Sequence, residues 1–274
     1  MDRRAFLGTL TAATIVGKRL GWATETHSMA KVGVQLYTVR DLMKADFEGT
    51  LAEVAAIGYR EVEFAGYFDR TPRQVKAVLA KTGMVSPSAH FAYSYLGDQW
   101  PAVLESANVI GQEYIVCSSV DEKLRKTLDD WKQVFATFNR AGEAAKKAGV
   151  QFAYHNHSFE FQPVEGKVPY DLLLQETDAN LVKMEMDLYW TVNAGADPKA
   201  YFDRNPGRFP LIHVKGRAKD GSMTEVAADN AIDWKQLFAD EKAGIRHYFV
   251  EQDHPTSPLK SIQASYEYLS ELRF

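Results

Sequence analysis

The chain has 274 residues, of which 46% are hydrophobic and 25% are charged, and its formal net charge is −4. This composition is typical of a globular protein, and the length is sufficient for one large core. The negative charge and the absence of Lys and Arg clusters argue against nucleic-acid binding. The single cysteine, Cys117, excludes an internal disulfide and is expected to lie in the core.

The first residues resemble an export leader more than a part of the fold. Arg3 and Arg4 precede an apolar run that continues to Gly17, as in a twin-arginine signal. The run is too short and too interrupted to span a membrane stably. We therefore expect residues 1–29 to be a signal segment that directs the protein to the periplasm. If the leader does not function, the expected location is the cytoplasm.

From residue 31 onward, short runs typical of β-strands alternate with amphipathic stretches typical of helices. Thr71 and Pro72 give one helix a strong start, and Gly58 and Gly83 mark two helix ends. The predicted strands are Val32–Tyr37, Arg60–Phe64, Val85–His90, Tyr114–Ser118, Gln151–His157, Leu181–Asp187, Phe209–Lys215 and His247–Gln252. The predicted helices are Phe47–Ile57, Thr71–Thr82, Gln99–Ile110, Asp121–Ala148, Tyr170–Glu176, Pro198–Arg204, Asp233–Ala243 and Leu259–Leu272.

Eight strands that are each followed by a helix predict a single (β/α)₈ TIM barrel of the α/β class over residues 31–274. No linker rich in Gly, Ser or Pro divides this region into two domains. The alternative is an open doubly wound sheet, which is expected to carry a glycine-rich phosphate turn after its first strand. The first strand instead runs into Thr38, Val39 and Arg40, so the barrel is favoured.

Ionisable side chains stand at the carboxyl ends of several predicted strands, where barrel enzymes place their chemistry. His155 and His157 share one face of the fifth strand, because side chains alternate along a strand. Packing alone explains such strand ends poorly, since burying unpaired ionisable groups is costly. The other groups of this kind are Glu61, Glu63, His90, Glu185, Asp187, His213, Lys215, Arg217, Glu251, Asp253 and His254.

Four neighbouring strand ends predict a metal site. Strands five to eight are adjacent in a barrel, so their terminal side chains can converge on one ion. A mixed nitrogen and oxygen site with two carboxylates suits Mn²⁺, Co²⁺, Fe²⁺ or Zn²⁺ better than Mg²⁺ or Ca²⁺. Taken singly, each residue has a structural alternative, such as a hydrogen-bonded histidine, a capping aspartate or a salt bridge. The predicted ligands are one strand-five histidine, Asp187, His213 and Glu251.

Other residues are candidates for contact with a sugar-like substrate. Trp190, together with Tyr37 and Phe91, is a candidate apolar wall for a sugar ring, with core packing as the alternative. The predicted substrate-binding residues are Glu63, His90, Glu160, Trp190 and Arg217, and a structural role is the alternative for Glu63 and His90.

Several stretches together resemble the sugar phosphate isomerase/epimerase family, which comprises xylose isomerase-like barrels within the type 2 AP endonuclease superfamily. They are VGVQLYTVRD, GYREVEF, YHNHSFEF, MDLYWTVNAGADP, HVKG, VEQDHP and SIQASYEYL, and they extend in order from Lys31 to Leu272. The resemblance implies a bound divalent metal, with Mn²⁺ as the first expectation and Co²⁺, Zn²⁺ or Fe²⁺ as alternatives. It also implies that Asp187, His213 and Glu251 are ligands.

The resemblance leaves the fourth ligand open between two histidines. Ketose epimerases of this superfamily have a strand-five glutamate whose register falls at Ala153 in this chain. His155 lies one pleat further along the same face. His155 is therefore the expected ligand, and His157 is the alternative.

The implied activity is that of an isomerase or epimerase that acts through a metal-stabilised enediolate. Glu251 or His157 serves as the base, and Lys215 stabilises developing charge. The alternatives are a lyase or hydrolase of 3-keto-glycosides that uses the same chemistry, and a non-catalytic sugar-binding barrel. A DNA-repair endonuclease is disfavoured by the negative charge. The expected partner is a small sugar or keto-glycoside, without nucleic acid or stable membrane insertion, and a homo-oligomer is compatible with the sequence.

Overall fold

Eight parallel strands close into a barrel in the structure, a computed structural model that describes residues 31–274. The first strand pairs with both the second and the last, with Gly33 beside Phe249, and this pairing closes the ring. This architecture confirms the predicted (β/α)₈ barrel. The barrel strands are β1 (Gly33–Gln35), β2 (Glu61–Ala65), β3 (Val85–Phe91), β4 (Tyr114–Cys117), β5 (Gln151–His155), β6 (Val182–Asp187), β7 (Leu211–Val214) and β8 (His247–Val250).

The helices surround this barrel and cover the outer faces of its strands. After β7, a short antiparallel ribbon pairs Gly216–Arg217 with Met223–Thr224. The helices are α1 (Arg40–Ala45), α2 (Phe47–Ile57), α3 (Pro72–Thr82), α4 (Trp100–Ile110), α5 (Leu128–Lys147), α6 (Pro169–Glu176), α7 (Leu188–Asn193), α8 (Pro198–Arg204), α9 (Trp234–Phe238) and α10 (Pro258–Glu271).

Two apolar cores result from the alternation of side chains along the strands. On β7, Ile212 and Val214 point outward into the large core beneath the helices. Leu211 points inward and joins a small inner cluster that fills the barrel. The inner cluster consists of Tyr114, Val116, Ala153, Leu211 and Phe249. This apolar layer separates the two ends of the barrel interior, so the polar groups at one end are isolated from those at the other.

Most predicted elements are confirmed, and the largest errors concern helix boundaries. The predicted helix Asp121–Ala148 begins only at Leu128, because Thr127 caps it and a 3₁₀ turn precedes it. The helix predicted to reach Ala243 ends at Phe238, and another 3₁₀ turn follows. Helices α1 and α7 were not predicted. Cys117 is buried, as expected.

The predicted leader, residues 1–29, lies outside the described residues, so its export function stays a prediction. The oligomeric state also stays a prediction. Between residues 31 and 274, none of the helices combines the length and apolar character that a bilayer crossing requires.

Candidate metal centre and active site

The last inward-facing side chains of four neighbouring strands build the candidate site. His155 and His213 lie two residues beyond Ala153 and Leu211 of the inner apolar layer, so they face the same interior one level higher. Asp187 ends β6 and lies directly beside His213 in the β6–β7 register. Glu251 follows β8, and all four of these ionisable side chains are buried.

These four residues bring two nitrogens and two carboxylate oxygens together. One candidate ligand atom from each residue lies within 4.8 Å of every other. His213 Nδ1 is 2.8 Å from Glu251 Oε2, and Asp187 Oδ2 is 3.8 Å from His155 Nε2. This geometry brings together the residues that the sequence predicts as ligands, with His155 as the strand-five histidine.

The chemistry of this donor set fits a divalent cation. Asp187 uses Oδ1 to accept the backbone N–H of Trp190 at 2.9 Å, which caps α7. Its Oδ2 is buried, and the Lys215 ammonium lies 3.0 Å away. Buried carboxylate charge is costly unless cations balance it, and a divalent ion would add to the charge that Lys215 provides. The mix of imidazole and carboxylate suits transition metals and zinc.

Lys215 shows that this position already attracts positive charge. Its ammonium lies 2.8 Å from Glu251 Oε2 and 2.8 Å from Asp253 Oδ1, in addition to its contact with Asp187. Burial alone would lower the pKa of Lys215, but the three carboxylates raise it well above its usual value. The lysine is therefore charged, and it balances part of the buried negative charge.

The protonation states of the cluster differ from residue to residue. Burial lowers the pKa of His155 far below its usual value, so this imidazole is neutral, as a metal ligand must be. Burial raises the pKa of Asp187 to about 6, against the opposing effect of Lys215. Burial would also raise the pKa of Glu251, but Lys215 and His213 lower it, so Glu251 is ionised.

A second layer of polar residues orients the two candidate ligand histidines from below. His155 Nδ1 lies 3.2 Å from Glu185 Oε2, and His213 Nε2 lies 2.7 Å from Glu63 Oε2. Histidine ligands commonly use the second ring nitrogen in this way, and the carboxylate then fixes the tautomer. His90 Nε2 also contacts Glu185, at 2.5 Å. Burial lowers the pKa of His90, but Glu63 and Glu185 together raise it to about 9.

Glu185 is the site residue that sequence reasoning did not assign a role. It lies two residues before Asp187 on the same face of β6, and this spacing was the available signal. Its side chain is fully buried, and its Oε1 has no hydrogen-bond partner in the described chain. Together with His90, His155 and His213, it forms a second group of candidate ligand atoms that lie within 4.8 Å of one another.

A cavity of about 720 Å³ opens above the cluster at the carboxyl end of the barrel. The predicted residues that line it are His90, His155, His157, Lys215 and Glu251. Tyr37 and Phe91 line it as well, which agrees with their expected role as an apolar wall. Its volume lies within the range of small-molecule sites.

Four predicted substrate-binding residues do not line this cavity. Glu63 is fully buried in the second layer, where it accepts hydrogen bonds from Gln35 and Ser88. Trp190 lies behind the lining residues, with its ring 5.6 Å from Lys215 Nζ. Arg217 belongs to the short ribbon that follows β7 and is not among the residues that line the cavity. Glu160, the fourth, is also fully buried.

Glu160 contributes to the site indirectly, through His157. Its Oε2 accepts the backbone N–H of His157 at 2.8 Å, and its Oε1 accepts the Tyr154 hydroxyl at 2.5 Å. His157 also stacks on Phe159, with ring centroids 5.5 Å apart. The fifth strand ends at His155, so His157 stands on the following loop, and these contacts fix its position at the cavity.

Comparisons with known proteins agree with this architecture. A sequence profile for a family described as "Xylose isomerase-like TIM barrel" matches residues 51–250. A solved structure of a sugar phosphate isomerase/epimerase from Parabacteroides distasonis is 26% identical, with a TM-score of 0.78, and the match covers 91% of this chain and 98% of that chain.

Two curated relatives are inosose dehydratases. The enzyme from Lacticaseibacillus casei is 26% identical over 190 residues, a match that covers 62% of this chain and 63% of that protein. This match spans less than two thirds of the relative's length. The enzyme from Geobacillus thermodenitrificans is 23% identical, and its match covers 76% of this chain and 83% of that protein.

Proposed function

The chain belongs to the xylose isomerase-like TIM barrel family, and from this premise we propose that it is a divalent-metal-dependent enzyme acting on a sugar-like ketone. The reaction begins with removal of a proton from the carbon next to the carbonyl. It ends with β-elimination of a neighbouring oxygen substituent. The observation that carries the proposal is the convergence of His155, Asp187, His213 and Glu251 beneath the cavity.

In this proposal the four residues hold the ion, and the residues around them handle the substrate. A bound divalent ion supplies positive charge that makes a C–H next to the carbonyl more acidic. Lys215 lines the cavity, and the positive charge of its ammonium stabilises negative charge that develops on a substrate oxygen.

His157 is the proposed base. It lines the cavity but does not belong to the group of candidate ligands. Burial lowers its pKa to about 3, with Lys215 adding to the effect, so its imidazole is unprotonated at neutral pH. Its Nδ1 has no hydrogen-bond partner within the described chain, so the case for His157 as the base rests on this open nitrogen beside the cavity. Glu251 is less suited to this role, because its Oε2 is already engaged by His213 and Lys215.

The residue at position 153 of strand β5 favours elimination over epimerisation. Epimerisation needs proton-transfer groups on both faces of the reacting carbon, and ketose epimerases use a strand-five glutamate for this purpose. The corresponding residue here is Ala153, which is buried in the inner apolar layer. Elimination needs one base, and the proton that His157 accepts can pass to the departing oxygen, so no other reactant is required.

Two relatives support this choice by name, since an inosose dehydratase removes water from a polyhydroxy ketone. The second candidate is a sugar isomerase or epimerase, which the Parabacteroides distasonis structure favours. Both candidates share the first proton removal, and they differ only in the step after it.

The test is proton exchange in ²H₂O with the metal-loaded protein and an inosose or a ketose as the substrate. Elimination gives a product lighter by one water, whereas epimerisation or isomerisation gives a product of unchanged composition that carries deuterium. His157→Gln is expected to abolish exchange and to keep the metal. Retained metal with no exchange on any ketone would contradict both enzymatic candidates and favour a sugar-binding barrel.

A further inference from the structure

The cavity has an aromatic side that the proposed chemistry does not use. Tyr67 and Phe68 follow β2, and Phe91 and Tyr95 lie at the end of β3 and just after it. We call these four residues the aromatic wall. In the order of strands around the barrel, β2 and β3 lie opposite β6 and β7, which carry Asp187 and His213. The wall therefore faces the candidate metal centre across the barrel mouth.

Edge-to-face contacts hold three of the four rings of the wall together. Tyr67 and Phe91 meet edge to face with ring centroids 5.4 Å apart, and Phe91 and Tyr95 do so at 5.3 Å. The Tyr67 hydroxyl donates a hydrogen bond to Gln112 at 2.7 Å, and this bond fixes the orientation of the Tyr67 ring. Rings held in this way keep their orientation without a ligand, so little entropy is lost when a ligand stacks on them.

Exposure and backbone conformation both indicate a binding role. Tyr95 is 37% exposed and is one of four large hydrophobic residues with high exposure in the described chain. Phe68 and Asp69 have φ angles of 51° and 59°, a conformation that is costly for residues with a side chain. Such strain clusters at sites that hold ligands. Here it occurs in the loop that presents Phe68 to the cavity.

This side of the cavity offers ring faces, and its charged lining residues, Asp69 and Arg70, lie in the loop just after Phe68. The Tyr67 hydroxyl is already engaged by Gln112, and the Ser118 hydroxyl donates to the Phe91 carbonyl at 3.3 Å. A second sugar ring would need partners for its hydroxyl groups, because buried polar groups are costly when unpaired. A flat, apolar ring needs none.

We propose that the aromatic wall is a subsite for an apolar ring attached to the sugar, so that the substrate is an aryl-substituted keto-sugar. This deepens the proposed function, because the ketone half of the substrate is placed over the candidate metal centre. In this proposal, an apolar ring joined to a sugar extends from the candidate metal centre to the aromatic wall. Such a substrate fills more of the cavity of about 720 Å³ than a free monosaccharide does.

The test measures binding without turnover, using the metal-loaded protein with phenyl β-D-glucoside and methyl β-D-glucoside as probes. Neither probe carries a ketone, so the result does not depend on the chemistry. In titration calorimetry, the phenyl probe is expected to bind about tenfold more tightly, as one or two aromatic stacking contacts provide. Tyr95→Ala is expected to reduce this preference to about twofold.

Val85→Ala is the matched control, because Val85 is 52% exposed and starts β3 at the opposite end of the barrel. This variant should keep the full preference. Equal binding of the two probes by the wild type, no binding of the phenyl probe, or an unchanged preference in Tyr95→Ala would each overturn the subsite. A clear phenyl preference without proton exchange on any ketone would overturn the proposed function and leave the subsite standing.

Discussion

The two ends of the barrel interior each contain a buried histidine–glutamate pair, and only one of them has the features of a site. At the carboxyl end, His213 Nδ1 is 2.8 Å from Glu251; at the amino end, His247 Nδ1 is 2.8 Å from Glu61. Strand β8 links the two, because it carries His247 and leads to Glu251. The two pairs consist of the same kinds of side chain at the same separation, so neither the residue types nor the separation distinguishes a candidate metal centre.

The surroundings of the two pairs make the difference. Both pairs border a cavity, of about 720 Å³ at the carboxyl end and about 670 Å³ at the amino end, so a cavity does not distinguish them. Around His213, however, further imidazole and carboxylate atoms converge within 4.8 Å. Around His247, the neighbours are the ring of Tyr114 and, through Glu61, the surface residue Lys31 at 3.4 Å. Among residues 31–274, the pair at the amino end belongs to no group of three or more candidate ligands. Convergence of several strand ends, and not a single pair, therefore indicates function.

The largest expected effect comes from removing one ligand charge at the carboxyl end. Asp187→Asn keeps an amide that can still cap α7, but it removes the anionic oxygen that faces the cluster. We expect bound metal and turnover to fall to near background while the fold is retained. Metal analysis of the purified protein and circular dichroism measure the two effects.

His247→Gln is the matched change at the amino end. It should leave metal content and turnover unchanged, because this pair lies beyond the inner apolar layer. Loss of metal in His247→Gln, or full metal in Asp187→Asn, would remove the distinction between the two ends.

A smaller effect is expected from the second layer. Glu185→Gln weakens the acceptor that faces His155 Nδ1, and changes of this kind typically cost 10–100-fold in metal affinity, so we expect a loss of about that size. Competition with a chelator measures the affinity. The corresponding change at the amino end, Glu61→Gln, should leave it unaltered. Equal losses in both variants would indicate a general effect on stability.

The smallest effect concerns Glu160, a buried carboxylate beside neither pair. Burial raises its pKa from 4.5 to about 7. The folded protein therefore keeps a proton that the unfolded chain releases, and stability falls as the pH rises from about 4.5 to about 7. Glu160→Gln removes this titration. Between about pH 5.5 and pH 8, the wild type should lose about 2 kcal/mol of unfolding free energy relative to the variant.

Chemical denaturation of both proteins across this pH range measures the difference. Parallel stability curves would mean that Glu160 is ionised throughout. A wild type that gains stability over the variant as the pH rises would reverse the assigned direction of its pKa.

The sequence predicted the barrel and the converging strand ends because both follow from local patterns. Helix Phe47–Ile57 was predicted with its observed bounds, since Gly58 marks its end, and the structure adds Asp46 as the cap at its start. His213 and Glu251 were singled out as candidates because ionisable residues that end apolar strands are conspicuous. Helix α7 was missed because it is short, and although Asp187 was considered as a capping residue, no helix was assigned after it.

The features that the sequence did not reveal depend on distant contacts. Glu160 looks like a polar loop residue, and its burial depends on Tyr154 and on the fold of its own loop. In the sequence, Arg217 looks like a continuation of β7. In the structure, β7 ends at Val214, and Arg217 belongs to a separate two-stranded ribbon. The role of Glu185 depends on where the rings of His90, His155 and His213 lie, and no local pattern specifies that.

The most direct test of the candidate metal centre is an anomalous difference map from crystals of the protein loaded with Mn²⁺. We expect a peak within coordination distance of His155, Asp187, His213 and Glu251, at the carboxyl end of the barrel. No peak at this position, or a peak only beside His247 and Glu61, would contradict the assignment of this cluster as the metal centre.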